Sequence, residues 1–362
     1  MRIQAPADWA ILVYSSASPD LERDAVAALD ELARARQPDS VVLGAQLGRP
    51  GGASRYRFTG ETDQELAAPP VETLPDVDMS RPQALEDFLR WGMRAFPARN
   101  YMVVLGGHGG GFLGSVGDVN RTRMMRPPEM AGALAASGLH PQVLVLNSCL
   151  MAQAEVAVEA APRADYLVAS QGEEHLAGLP LARALERLDG TTSPEAAARM
   201  LVEESGRTPE RTPAMSALSL AEVPALARAL DGLGRAILAA PSLYPEMRRV
   251  LRELPHFRPD RPNDRPLTDY RDLSAFARRL PELGDPALAR AARDLEGSLG
   301  EVVLAAVARP DHEGANGLSA WLPTENLRRT HGPAVGWVED LYRSLALSRT
   351  TAWDEAMAAL AG

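Results

Sequence analysis

Two short stretches hold the residues best suited to covalent chemistry. One is Gly106-Gly107-His108-Gly109-Gly110-Gly111, the other Asn147-Ser148-Cys149-Leu150-Met151. Each follows an apolar run, Tyr101–Leu105 and Val143–Leu146, of the kind that forms a strand buried on both faces. In an open parallel sheet, ligands bind outside the carboxyl ends of the strands. His108 and Cys149 fall just past two such ends, 41 residues apart, and adjacent strands would set them side by side. Imidazole is a base near neutral pH, and a thiolate is a strong nucleophile. Together they suit covalent acyl transfer. The glycines around His108 let a substrate backbone approach closely and leave N–H groups free. Met151–Ala161 reads as a helix, so Cys149 is expected at a strand-to-helix turn, where a helix N-terminus lowers a thiol pKa.

Each residue also has a plainer reading. A lone cysteine in a large protein is most often apolar filler. The glycine run could cradle a phosphate, although, read from Gly107, the dinucleotide pattern fails at Phe112. His140 precedes a proline and reads as a loop residue, and His175 follows a strand end. His256, His312 and His331 are scattered without metal-ligand spacing, so no metal site is expected.

The surrounding chain alternates strands and helices. Ala10–Ser15 and Ser40–Leu47 read as strands, with a short strand near Tyr56–Phe58. Tyr166–Ser170 reads as a further strand. Pro19–Arg36 and Pro82–Phe96 carry apolar residues at helical spacing, including Leu21, Ala25, Leu29 and Leu32 in the first. This alternation predicts an α/β fold with a mostly parallel sheet covered on both faces. The later chain is mainly helical: Ser193–Ser205, Leu220–Ala239, Asp269–Leu280, Pro286–Leu299 and Val335–Leu345. Two strand-like pieces, Ser216–Leu220 and Gly317–Leu322, could extend the sheet. Gly60–Pro82 and Leu254–Leu267, the latter with four prolines, read as long loops. The division expected is a catalytic core over residues 1–190 and a helical part over residues 191–362.

Composition narrows the function classes. The chain has 362 residues and a net charge of −10, which argues against a nucleic-acid surface. All 38 basic residues are arginine, so Schiff-base and Walker-type lysine chemistry is excluded. A single cysteine allows no intrachain disulfide and favours a reducing compartment. The first residues lack the order of a signal peptide, and no run approaches the ~18 apolar residues of a membrane span. A cytoplasmic protein, acting on neither membrane nor nucleic acid, is the expectation.

The chain resembles the clostripain-like (C11) cysteine peptidases, of the clan that includes caspases, gingipains and separases. The resemblance begins at Trp9-Ala10-Ile11-Leu12-Val13-Tyr14 and runs through Phe88-Leu89-Arg90-Trp91 and Phe96-Pro97-Ala98. It is sharpest at His108-Gly109-Gly110-Gly111-Phe112 and Ser148-Cys149-Leu150-Met151, followed by Glu155-Val156-Ala157. Tyr166-Leu167-Val168-Ala169-Ser170-Gln171, Gly178-Leu179-Pro180, Asp272-Leu273 and Gly317-Leu318-Ser319 with Pro323 resemble its later markers.

The resemblance implies a three-layer caspase-like fold and a cysteine endopeptidase working on polypeptides through a dyad. Cys149 would be the nucleophile and His108 the general acid–base. The N–H groups of Gly109 and Cys149 would form the oxyanion hole. Members that cleave after basic residues carry Asp two positions before the cysteine, where this chain has Asn147. A preference for Arg at the P1 position would then draw acid from Glu173, Glu174 or Asp118. Members also cut themselves between the histidine and the cysteine. Here that interval holds Asn120-Arg121-Thr122-Arg123-Met124-Met125-Arg126, read as an exposed loop, with Arg121, Arg123 and Arg126 as candidate sites. Some relatives use calcium, but the chain has no EF-hand loop, so no cofactor is expected and calcium stays open. An intracellular protease needs restraint, by processing, a regulatory ligand or a protein activator. Two other classes compete: a catalytically inactive scaffold on the same fold, and a small-ligand-binding α/β protein using the glycine loop.

Overall fold

The alternation of side chains along the first strand decides the architecture. In β1 (Ala7–Ser16) the residues Ala10, Leu12 and Tyr14 enter one hydrophobic core, while Trp9, Ile11 and Val13 enter another. A strand with two apolar faces must be covered twice, which gives a helix–sheet–helix sandwich. The computed structural model describes residues 6–58, 69–118, 123–257 and 269–362.

The remaining strands are β2 (Val41–Arg49), β3 (Gly52–Phe58), β4 (Glu72–Pro75), β5 (Ala98–Gly106), β6 (Ser115–Gly117), β7 (Met124–Met125), β8 (Val143–Asn147), β9 (Tyr166–Ser170), β10 (Ala214–Ser219), β11 (Tyr270–Asp272), β12 (Val303–Ala308) and β13 (Ser319–Trp321). Nine of them form one sheet in the order β12-β10-β9-β8-β5-β1-β2-β3-β4. Its centre, from β9 to β2, is parallel. Antiparallel strands complete both edges.

Helices α1 (Glu22–Arg34), α2 (Pro82–Ala95), α3 (Pro127–Ser137), α4 (Ala154–Ala160), α5 (Leu181–Arg187), α6 (Pro194–Arg207) and α7 (Val223–Ala239) cover the sheet. Further along come α8 (Tyr244–Glu253), α9 (Leu273–Arg279), α10 (Pro286–Val302), α11 (Leu327–His331), α12 (Gly336–Ser344), α13 (Ala346–Thr350) and α14 (Trp353–Ala361). In α2, Pro82 opens the helix, and Leu85, Phe88, Leu89 and Gly92 form its buried stripe. The Asp285 side chain caps α10 by accepting the N–H groups of Ala287 at 2.9 Å and Leu288 at 2.8 Å.

The α/β class, the parallel centre and the strand assignments of the early chain agree with the sequence reading. Ser216–Leu220 does extend the sheet, as β10. Gly317–Leu322 does not: its strand β13 pairs with β11 in a separate two-stranded sheet. That small sheet touches the Cys149 turn through the pairing of Gln153 with Ser319. The expected loop at 60–82 contains β4, and the predicted helix from Asp269 begins with a strand before Asp272 caps α9. Parts of both long loops, 59–68 and 258–268, lie outside the described residues.

Candidate functional site

Parallel pairing of β5 with β8 puts Gly106 opposite Asn147. His108 and Cys149 each lie two residues further on, so register alone brings them to neighbouring places. Both line a cavity of about 100 Å³, with Asn147, Glu174 and His175 among its walls. The two loops touch at Gly109, where a Cβ would sit 2.4 Å from the Cys149 carbonyl oxygen and 2.9 Å from its nitrogen. Only glycine permits that approach. The N–H groups of Gly109 and Cys149 donate to no other described residue. They are free to bind a developing oxyanion.

The His108 loop is anchored from several sides. Val116 N–H donates to the His108 carbonyl at 3.0 Å, and the Tyr270 hydroxyl donates to the Gly110 carbonyl at 2.6 Å. Phe112 N–H donates to Gln153 Oε1 at 3.0 Å. The Phe112 ring is fully buried against Tyr270, Trp321 and Tyr342. The imidazole itself is partly exposed and meets a carboxylate: His108 Nε2 lies 3.2 Å from Asp20 Oδ2. Asp20 follows β1, the strand beside β5, with Ser15 opposite Gly106. Its Oδ1 accepts from the Ser18 hydroxyl at 2.7 Å. Asp20 was not among the candidate residues legible in the sequence. The available signal was its place at a third carboxyl strand end.

Cys149 departs from expectation. The helix after it starts only at Ala154, so Cys149 is not at a helix N-terminus. The intervening turn has Leu150 at φ 67, an unfavourable conformation for a side chain of that size. It is pinned by Leu150 N–H to the Gly172 carbonyl at 3.0 Å and Ala152 N–H to the Ser170 carbonyl at 2.8 Å. The thiol pKa is raised, not lowered, to about 12. Burial is the first cause and the nearby Glu174 carboxylate the second, opposed by the Glu174 N–H, 3.3 Å from Sγ.

Glu174 is the most unusual side chain of the cavity. Both its carboxylate oxygens are buried without a hydrogen-bond partner, and burial raises its pKa well above the usual carboxylate range. Asn147 also lines the cavity, but its Oδ1 is already taken by Leu179 N–H at 2.9 Å. Glu173 is exposed, and Asp118 is not a wall of the cavity but receives Arg123 N–H at 2.9 Å. His175 lines the cavity and accepts Ala177 N–H on Nδ1 at 3.2 Å.

Arg121 lies outside the described residues, with Asn120 and Thr122. The rest of that interval is not an open loop: β7 pairs with β6, and Met125 is fully buried. Arg123 ion-pairs with Glu129, and exposed Arg126 caps α3 immediately before Pro127.

The late markers converge on the floor of the same region. Buried Asp272 accepts from Gln171 Nε2 at 3.0 Å and Asn316 N–H at 2.7 Å, while Gln171 Oε1 accepts Gly317 N–H at 2.6 Å. This network ties the exit of β9, which leads to Glu174, to the later chain. Burial raises the Asp272 pKa. Among the described residues no group of three or more His, Cys, Asp or Glu side chains could hold a metal ion, and no helix is long and apolar enough to cross a membrane.

Residues 13–359 match the profile of the clostripain family, Peptidase C11. Among solved structures, the chain is similar to a secreted C11 cysteine protease from Bacteroides thetaiotaomicron in complex with an irreversible peptide inhibitor. The TM-score is 0.71 at 19% identity, over 97% of this chain and 99% of that one. It is also similar to an inactive zymogen C11 protease from Parabacteroides distasonis, with TM-score 0.67 at 19% identity, over 96% and 99% of the two chains. No curated protein matches the chain.

Proposed function

Because the chain belongs to the clostripain family of cysteine peptidases, we propose that it is an endopeptidase whose chemistry is carried by Cys149 and His108. The observation that supports this reading is the shared cavity at the adjacent ends of β5 and β8. The Cys149 proton passes to His108, and Sγ attacks the scissile carbonyl. The oxyanion forms against the N–H groups of Gly109 and Cys149, each such donor contributing about 3 kcal/mol in the transition state. His108 returns the proton to the leaving amine as the C–N bond breaks. Water then attacks the thioester, giving its proton to the imidazole, and the C–S bond breaks to restore the thiol. In this arrangement the half-buried thiol is held up at about 12 by burial and by Glu174, so transfer of its proton to His108 is the step these groups oppose.

A P1 arginine is the second part of the proposal. An unpartnered buried carboxylate is costly, and a guanidinium entering the cavity would pair with Glu174, possessing the fork geometry for it. Self-processing follows from the same preference. Arg126 is the weakest of the three candidates, since its scissile nitrogen would belong to Pro127, whose ring lacks an N–H. Arg121 and Arg123 are the stronger ones.

The test is a set of fluorogenic peptides with arginine or its uncharged isostere citrulline at P1, assayed with and without calcium. Wild type should cleave the arginine peptide faster, and Cys149→Ala should cleave neither. Fragments of roughly one-third and two-thirds length should appear in wild type and not in Cys149→Ala. Turnover by pure Cys149→Ala would overturn the assignment.

A further inference from the structure

We propose that Asp20 is a positioning residue for His108, fixing which imidazole nitrogen faces the thiol. The inference rests on the reading of His108 and Cys149 as the reacting pair. A neutral imidazole carries one N–H, and a carboxylate can only accept. With Nε2 at 3.2 Å from Asp20 Oδ2 and 3.4 Å from Oδ1, the proton belongs on Nε2. The lone pair is then on Nδ1. Nδ1 takes the Cys149 proton and passes it to the leaving amine, while Nε2 keeps its own proton and Asp20 stays ionised throughout.

The carboxylate reaches solvent but is held in place. Ser18 is buried, and its hydroxyl donates to Asp20 Oδ1 at 2.7 Å. The turn is closed by Leu21 N–H to the Ser18 carbonyl at 2.8 Å, and Ala17 N–H is bound to the Gly48 carbonyl of β2 at 3.0 Å. Three adjacent parallel strands thus contribute one group each: β1 the carboxylate, β5 the imidazole and β8 the thiol. Asp20 stands behind His108 and is not a wall of the cavity; besides His108 and Cys149, the titratable walls among the described residues are Glu174 and His175, both from the segment after β9. Asp20 and His108 are each partly exposed. Orientation and tautomer choice therefore outweigh raw Coulomb attraction, which solvent screens.

The experiment uses the full chain and the arginine peptide. Asp20→Ala and Asp20→Asn should lower kcat about 10–100-fold, a part of what general acid–base catalysis contributes, with KM within about 2-fold of wild type. Asp20→Glu should recover part of the loss. Nitrogen-15 NMR of histidine-labelled protein should show His108 protonated on Nε2 in wild type and a mixture of tautomers in Asp20→Ala. In a His108→Ala background, adding Asp20→Ala should cost nothing further. Wild-type kcat in Asp20→Ala, or a wild-type His108 protonated on Nδ1 alone, overturns the inference. If His108→Ala itself keeps full activity, it is the underlying dyad reading that fails. The NMR measurement stands without turnover, so an enzyme awaiting activation can still be tested.

Discussion

The two strand ends that meet at the cavity each carry one reactive side chain beside one carboxylate, with opposite consequences. At the end of β5, His108 is partly exposed, and Asp20 stands at hydrogen-bond distance from its ring. That carboxylate favours a protonated nitrogen facing it. At the end of β8, Cys149 is half-buried, and the carboxylate of Glu174 opposes ionisation of the thiol. The same charge therefore prepares one partner and restrains the other. Burial decides the scale of the second effect, since it is the larger of the two causes raising the thiol. In this arrangement the proposed nucleophile is present but disfavoured as a thiolate.

The strongest way to break this comparison is to delete either reacting group. Cys149→Ala and His108→Ala should each lower kcat at least about 10³-fold, with circular dichroism and melting behaviour close to wild type. Unchanged turnover in either variant would remove its strand end from the chemistry.

Next in size is Glu174→Gln. It removes the carboxyl group that would ionise against a bound guanidinium, so the preference for arginine over citrulline at P1 should fall about 10–100-fold, as expected for loss of a charge-assisted pair. The thiol gives a second readout. With its pKa at about 12, alkylation of the free wild type by iodoacetamide should be slow at pH 7. It should keep rising through pH 10, beyond the range of an ordinary thiol near 8.5. Glu174→Gln should shift that profile down only in part, because burial remains. Rapid alkylation of wild type at pH 7 would contradict the restraint on the thiol.

A buried carboxylate away from the cavity provides the control. Glu155 is fully buried, and its Oε1 accepts Trp321 N–H at 2.9 Å and the Tyr342 hydroxyl at 2.7 Å. Burial raises its pKa. The folded state therefore holds this proton more tightly than the unfolded state. The stability it contributes is complete below the unfolded value near 4.3 and is lost as pH rises through the folded value. Glu155→Gln keeps an acceptor and removes the titration. It should gain about 1 kcal/mol relative to wild type at pH 8, with kcat unchanged. A steeper loss of stability with pH in the variant would contradict this account.

The two strand ends also differ in how much the sequence disclosed. The runs Tyr101–Leu105 and Val143–Leu146 were legible because a strand buried on both faces must be apolar throughout. Their adjacency did not follow from the α/β pattern, which leaves strand order open; the pairing of β5 with β8 establishes it. The environment of Cys149 was not legible. It depends on Leu150 at φ 67, on a turn held by Gly172 and Ser170, and on the Glu174 N–H lying against Sγ. No local pattern encodes these tertiary contacts. Asp20 was equally hidden, since an acid after Ser18 and Pro19 reads as turn chemistry until β1 is known to adjoin β5. In the later chain, β12 (Val303–Ala308) follows α10 with no breaking residue, so its apolar run is not separable from the end of the helix by pattern alone. Helix α14 is short and rich in alanine. It follows a segment packed so close to α7 that a Cβ on Gly234 would meet the Ala352 carbonyl at 2.7 Å.

Asn147 gives the smallest expected effect and sharpens the comparison most narrowly. Its Oδ1 accepts the Leu179 N–H at 2.9 Å, an interaction that Asn147→Asp can keep. The second carboxylate oxygen would replace Nδ2 and add negative charge to the cavity wall. That charge acts on two groups: it attracts a P1 guanidinium, and it further opposes ionisation of Cys149. Absolute rates mix the two. The ratio of kcat/KM for arginine over citrulline peptides separates them, because both substrates meet the same thiol. The ratio should rise about 3–10-fold, the range for one added, partly solvated ionic contact, even where kcat falls for both peptides. A ratio that stays constant while both rates fall would mean that position 147 faces the nucleophile rather than the substrate side chain. Selectivity would then rest on Glu174 alone.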